Sequence, residues 1–151
     1  MTVRAARKGD LPALLAIERA SFSTDRLTRR ALRRLMTRPN CAVLVAVTRG
    51  AVAGYAVLLF RRGSRKARLY SIAVDPRRRR AGVAARLLAA VERRARERGS
   101  SAVTLEVGVK NRAASTLYRT IGYRRLLRLG PYYADGSAAD RWWKDLAAPA
   151  R

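Results

Sequence analysis

The stretch "ARLYSIAVDPRRRRAGVAARLLAAVERRARERGS", Ala67 to Ser100, limits the fold more than any other part of the chain. An apolar run with the character of a buried strand ends at Asp75-Pro76. Four consecutive arginines follow, and then Ala84, Leu88, Val91 and Ala95 recur at spacings of 4, 3 and 4. That repeat is one face of a helix. It predicts a helix from about Gly82 to Arg98, which Gly99 would end. "AVTLEV" then reads as a further strand, so strands and helices alternate as they do in α/β proteins.

The remaining segments fit the same architecture. "TVRAAR" predicts a first strand. Asp10 is placed to cap a helix with Pro12 in its first turn and with Leu11, Leu14, Leu15, Ile17 and Phe22 on its apolar face. A second helix fits Thr28 to Thr37, with Leu32, Leu35 and Met36 inward and Arg29, Arg30, Arg33 and Arg34 in solvent. "CAVLVAV" and "AVAGYAVLLF" flank Thr48-Arg49-Gly50 as a hairpin. A helix from about Asn111 to Ile121 stops at Gly122. Tyr123 to Leu129 and Ala139 to Asp145 read as two closing strands around "GPYYADGSA". The expected order is β-α-α-β-β-β-α-β-α-β-β, a single domain over residues 1–151 with a mixed central sheet flanked by helices.

Composition narrows the chemistry. The 151 residues suit one well-buried core, and 49% hydrophobic with 29% charged residues describes a globular chain. There is no histidine, which excludes His-dependent triads and His general bases. The single cysteine, Cys41, cannot form an intrachain disulfide or a Cys-cluster metal site, and its apolar neighbours predict a buried core thiol. No metal site is expected. The longest apolar run is about half of a membrane-spanning helix, and "MTVRAARKGDL" has no apolar signal segment, so a cytoplasmic protein without membrane attachment is expected.

Net charge is +24, with 34 basic and 10 acidic residues. A field of that sign attracts polyanions, nucleotide cofactors and RNA alike. Only four of the basic residues are lysines, and coding bias toward arginine explains part of the excess. The run Arg77 to Arg80 stands at a helix N-terminus, where cations are locally unfavourable. An anion there relieves the repulsion. In Arg79-x-x-Gly82-x-Ala84, Gly82 lets the backbone approach a ligand closely and Ala84 leaves it room. The unpaired N–H groups of the first turn then point at the anion. A basic loop on a solvated helix is the plainer alternative.

With its flanks, this loop resembles the GNAT superfamily of acetyl-CoA-dependent N-acetyltransferases. Arg79, Gly82 and Ala84 meet that family's Gln/Arg-x-x-Gly-x-Gly/Ala pattern. The resemblance continues through "SIAVDP", "TLEV", "KNRAASTLYRTIGYRR" and "YYADG", and is nearest to the ribosomal-protein alanine N-acetyltransferase branch. It implies that backbone at Ile72 and Val74 pairs with the pantetheine arm of acetyl-CoA. It also implies that N–H groups around Arg80, Gly82, Val83 and Ala84 hold the pyrophosphate, and that Asn111 contacts the cofactor arm. Asn111 is equally a plain helix cap.

Glu106 lies in an otherwise apolar strand, where an unpaired charge is costly; alternation sets it opposite Leu105 and Val107. An outer-face glutamate fits that placement; the resemblance implies a general base. Tyr118 shares helical spacing with core positions, and the resemblance implies a general acid. Tyr132, Tyr133 and Asp135 would border the acceptor channel. Asp135, Asp140 and Asp145 concentrate acidity near the C-terminus, which suits an amine. Where the branch carries a Pro-Trp segment this chain has "SFSTDRLTRR", and "RWWKDL" replaces an aliphatic last strand, so Trp142 or Trp143 is expected to be exposed or at an interface.

The resulting expectation is acetyl transfer to a protein N-terminal α-amino group, with a protein or peptide acceptor and ribosome association left open. A lysine side chain or small amine is the alternative acceptor. A non-catalytic RNA- or ribosome-binding protein of the same fold is the reading from another class, against which the basic residues are scattered and no aromatic-rich nucleic-acid pattern occurs.

Overall fold

The computed structural model describes residues 1–146; the last five residues of the expected domain, 147–151, lie outside it. Its elements are β1 (Thr2–Ala5), α1 (Leu11–Ser21), α2 (Arg29–Thr37), β2 (Cys41–Thr48), β3 (Ala51–Phe60), β4 (Lys66–Val74), α3 (Val83–Glu97), β5 (Ala102–Gly108), α4 (Arg112–Thr120), β6 (Arg124–Leu129) and β7 (Ala139–Asp145). This is the expected mixed α/β architecture. The strands form one sheet in the order β1-β2-β3-β4-β5-β7-β6. β4 and β5 run parallel, and the other neighbours are antiparallel.

Local chemistry explains the turns. Arg49 and Gly50 both take positive φ, 50° and 75°, and close the β2–β3 hairpin in two residues. Two left-handed residues match the twist of the flanking strands. Asp10 does not cap α1 with its side chain. Its carboxylate accepts from the Arg7 N–H at 2.7 Å and from the Arg4 guanidinium at 2.8 and 3.1 Å, fixing the turn before the helix.

Two helical layers bury the sheet. On one face Leu14, Leu15 and Leu32 from α1 and α2 pack on Val43, Val45, Tyr55 and Val57. On the other, Leu87, Leu88 and Val91 of α3 pack on Leu44, Ala56, Leu58, Leu69 and Leu105, with Tyr118 of α4 in the same cluster. Each large apolar side chain buried this way contributes about 1.5–3 kcal/mol. Gly54 sets how closely α3 can approach. A Cβ there would lie 2.8 Å from the Ala73 carbonyl oxygen and 3.1 Å from Val83 Cγ1.

One expectation about a single residue needs correction, and one about a pair divides between its members. Cys41 is half-buried at the start of β2, because the edge of the α2 layer leaves that end of the strand open. Trp142 is 2% exposed and belongs to the core. Its partner register, Leu105 to Trp142, turns it toward α3 and α4. Trp143 faces the opposite side and is partly exposed.

Candidate active site

The site begins with one extra residue in β4. Val57 pairs with Ser71 and Leu58 with Leu69, which leaves Tyr70 without a partner as a bulge. A bulge bends its strand and raises the local twist. It also shifts the inward positions of β4 from Ala67 and Leu69 to Ile72 and Val74. The parallel ladder with β5 ends at Leu69–Leu105, although β4 continues to Val74 and β5 to Gly108. The two strands splay, and a cleft of about 640 Å³ opens between them.

Several elements line this cleft: Ile72 on β4, Glu106 on β5, Asn111 and Tyr118 of the α4 region, and Tyr132, Tyr133 and Asp135 between β6 and β7. The expected catalytic and acceptor residues therefore converge. The expected phosphate cradle stands apart from them, past the end of β4. There Arg80 and Gly82 adopt φ of 66° and 77°, and Gly82 is the residue before α3. An added Cβ at Gly82 meets nothing within 4 Å. Its requirement is the left-handed backbone, not space. The N–H groups of Val83 and Ala84 lie in the first turn, where no intrahelical partner exists. Arg77 is turned back onto Asp75, 3.0 Å away, so the arginine run is partly neutralised within the chain. Val74, expected beside Ile72 on the cofactor arm, pairs with Gly54 and does not line the cleft.

Glu106 is not solitary. Its side chain is 6% exposed and holds two arginines. Oε1 accepts from Arg68 Nε at 2.9 Å and Nη2 at 2.8 Å, and Oε2 accepts from Arg141 Nε at 2.9 Å. The Tyr132 hydroxyl lies 3.4 Å from Oε1 and accepts from Arg68 Nη2 at 2.9 Å. A carboxylate offers about four acceptor positions. Oε1 meets three donors and Oε2 one, so Oε2 is the less occupied oxygen. Arg68 and Arg141 escaped sequence reading because they lie 38 and 35 residues from Glu106 and carry no local pattern. Only the register Glu106–Arg141 brings the second pair together.

Tyr118 is 4% exposed. Burial, and then Tyr133, push its hydroxyl well above the usual phenol range. Asn111 Oδ1 accepts from the Ala114 N–H at 3.1 Å, so the capping role is present, and the residue also lines the cleft. Burial and the Glu106 carboxylate likewise raise Tyr132.

The acidity of the C-terminal stretch divides. Asp140 pairs with Arg128 at 3.0 Å and Arg125 at 3.6 Å, and Asp145 lies 3.8 Å from Arg124, so neither faces the cleft. Asp135 does, with Ser137 holding its carboxyl below the usual range. Two unforeseen carboxylates join it. Asp25, at φ 55°, accepts from the Ala134 N–H at 3.1 Å and ties the α1–α2 loop to the β6–β7 loop. Glu18 is 2% exposed and accepts from the Leu27 N–H at 2.7 Å, while its Oε1 has no partner among the described residues.

Residues 11–123 match the acetyltransferase (GNAT) family. The chain belongs to that family. A structure described as Ard1 from Thermoplasma volcanium is 29% identical, covers 97% of this chain and 98% of its own, and superposes with a TM-score of 0.88. The ribosomal-protein-alanine N-acetyltransferase of Brucella melitensis is 26% identical over 96% of this chain and 99% of its own, with a TM-score of 0.84. An uncharacterized protein of Mycobacterium leprae is 42% identical over 74 residues. That match spans 49% of this chain and only 20% of the relative.

Within this GNAT chain the family match covers β4, the arginine loop, α3, β5 and α4, and stops before β6 and β7. Tyr132, Tyr133, Asp135 and Arg141 lie beyond it. This part of the cleft lining is thus the part least described by family membership. No described helix is long and apolar enough to cross a membrane.

Proposed function

We propose that this protein transfers the acetyl group of acetyl-CoA to the α-amino group of a polypeptide, working as one acetyltransferase domain in the cytoplasm. The observation that carries the reading is the end of the β4–β5 ladder at Leu69–Leu105. It leaves Ile72 and Glu106 on opposing walls of a cleft that Tyr118 also lines.

The residues present fit the cofactor. A splayed β4 has unpaired backbone at Ile72 for an extended amide-bearing arm, and the positive φ at Arg80 and Gly82 turns first-turn N–H groups toward a pyrophosphate. When bound, acetyl-CoA supplies the acetyl group as an activated thioester. Glu106 takes a proton from the attacking amine at Oε2 through a bridging water, since Oε1 is occupied by Arg68. Arg68 and Arg141 hold that carboxylate at fixed orientation. Tyr118, a buried phenol that lines the cleft, donates its hydroxyl proton to the departing sulfur.

An amine acceptor is supported by charge. Glu18, Asp25, Glu106 and Asp135, four of the chain's ten acidic residues, line one cleft in a protein of net charge +24. A ribosomal-protein N-terminus is one acceptor consistent with it. The deciding experiment is turnover with acetyl-CoA against peptides bearing either a free α-amine or only a lysine amine. α-Amines titrate near about 7.7–8.0 and lysine near about 10.4. Activity on free α-amines at neutral pH supports the reading, and activity confined to lysine or to small amines replaces it.

A further inference from the structure

A second recess, about 440 Å³, lies beside the cleft on the same face of the sheet. Arg38, Arg61, Arg62, Lys66 and Arg68 line it, and among the described residues no carboxylate does. Leu35 and Leu59, which pack on the same face, give it an apolar floor. Arg68 also lines the acceptor cleft, so the two spaces share a wall. The register explains this continuity. Cys41, Leu59, Arg68 and Thr104 lie in one row across β2, β3, β4 and β5, and Glu106 is two residues farther along β5. Two strand residues span about 7 Å. The polarity thus reverses along the face, from a cleft with four carboxylates to a recess with five cations.

We infer that the recess binds an acidic segment of the acceptor polypeptide, located about three residues after the acetylated amine. This rests on the α-amine reading above and narrows its substrate class. Lys66 pairs with Ala102, four strand residues or about 13 Å from Glu106. An extended chain advances about 3.3 Å per residue, so a peptide with its amine at Glu106 brings residues four to six to the Lys66 end of the recess. Arg68 is committed to Glu106, but Arg38, Arg61 and Arg62 form no ion pair among the described residues, and Lys66 sits over the Trp143 ring at 4.9 Å. Glutamate fits both halves of the recess, with an aliphatic stem for the floor and a carboxylate for the rim. A nucleic-acid backbone is better matched by the open arginine faces of α2 and α3 than by a recess continuous with the acceptor cleft.

The test compares two hexapeptides that share residues one to three and carry three glutamates or three glutamines at positions four to six. Wild-type protein is expected to show a KM roughly tenfold lower for the glutamate peptide, with kcat similar. The difference should vanish in Arg61→Gln/Arg62→Gln and persist in Arg93→Gln/Arg96→Gln, which removes equal charge from α3. Equal KM values for wild type overturn the inference, as does a preference that survives the first variant or disappears equally in the second. If neither peptide is acetylated, the α-amine reading fails. Anisotropy of the same peptides, labelled at the C-terminus, then decides the recess alone: tighter binding of the glutamate peptide through Arg61 and Arg62 supports it, and equal binding ends it. Tighter binding of single-stranded RNA than of the glutamate peptide, lost in Arg61→Gln/Arg62→Gln, assigns the recess to nucleic acid and also overturns the proposal.

Discussion

Arg141 and Glu106 are direct register partners across β7 and β5, and Arg141 Nε donates to Glu106 Oε2 at 2.9 Å. A carboxylate that lines the cleft is thereby held by a cation on the neighbouring strand. Arg68 holds it from β4.

Glu106→Gln keeps the shape, but its amide has one acceptor oxygen for two arginines and its NH2 opposes the other, so the fold should lose about 1–3 kcal/mol, moderated by the partial exposure of both arginines. Acetyl-CoA binding should persist. Turnover at neutral pH should fall by about 10²–10⁴-fold. The loss should shrink as pH approaches the acceptor amine's own pKa, because solvent then deprotonates it. A variant-to-wild-type rate ratio that is flat from about pH 6 to 10 would remove Glu106 as base.

Tyr118→Phe preserves the ring, including its edge contact with Tyr123 at 5.6 Å between centroids. Melting temperature and cofactor affinity should stay near wild type, and turnover should drop by about 10²–10⁴-fold. Unchanged turnover in a steady-state assay would leave Tyr118 as a core aromatic only.

Gly82 is tested through its backbone angle. Acetyl-CoA should raise the melting temperature of the wild-type protein by mass action. Gly82→Val places a β-branched residue at φ 77°, a strained conformation costing about 1–3 kcal/mol, and should lose the cofactor-induced shift. Gly82→Asn should retain most of it, since asparagine tolerates that region. Equal shifts in both variants would mean that the loop does not bind the cofactor.

Stability should fall in acid through Asp10 and Asp140. The Arg4 hydrogen bond holds the Asp10 carboxyl below its usual range, and the Arg128 hydrogen bond does the same for Asp140. For a carboxyl lowered on folding, the stabilisation is complete above the unfolded value of about 4 and is lost as pH falls through the lower folded value. Urea midpoints measured from pH 7 to 2 should therefore hold steady and then decline below about pH 4. Asp10→Asn/Asp140→Asn should lower the midpoint at pH 7 and flatten that decline. An undiminished acid slope in the double variant would place the effect elsewhere.

The element order was legible in the sequence because the helices carry their own apolar repeats and most turns their own glycine or proline, the α1–α2 loop excepted. The loop from Arg79 to Ala84 was legible for the same reason: its glycine, its spacing and its place before a helix are local facts. The convergence of Glu106, Tyr118, Tyr132 and Asp135 could be expected only through the family resemblance. Three decisions were not written locally. The bulge at Tyr70 is one unpaired residue inside a continuous apolar run, and pairing with β3 alone reveals it. The burial of Trp142 in place of Trp143 follows from the β5–β7 register, since adjacent strand residues face opposite sides. Arg68 and Arg141 became partners of Glu106 because three strands distant in sequence lie side by side. Sequence periodicity fixes which residues share a face within one element; only packing fixes which faces meet, and the charge pairing of the site depends on the second.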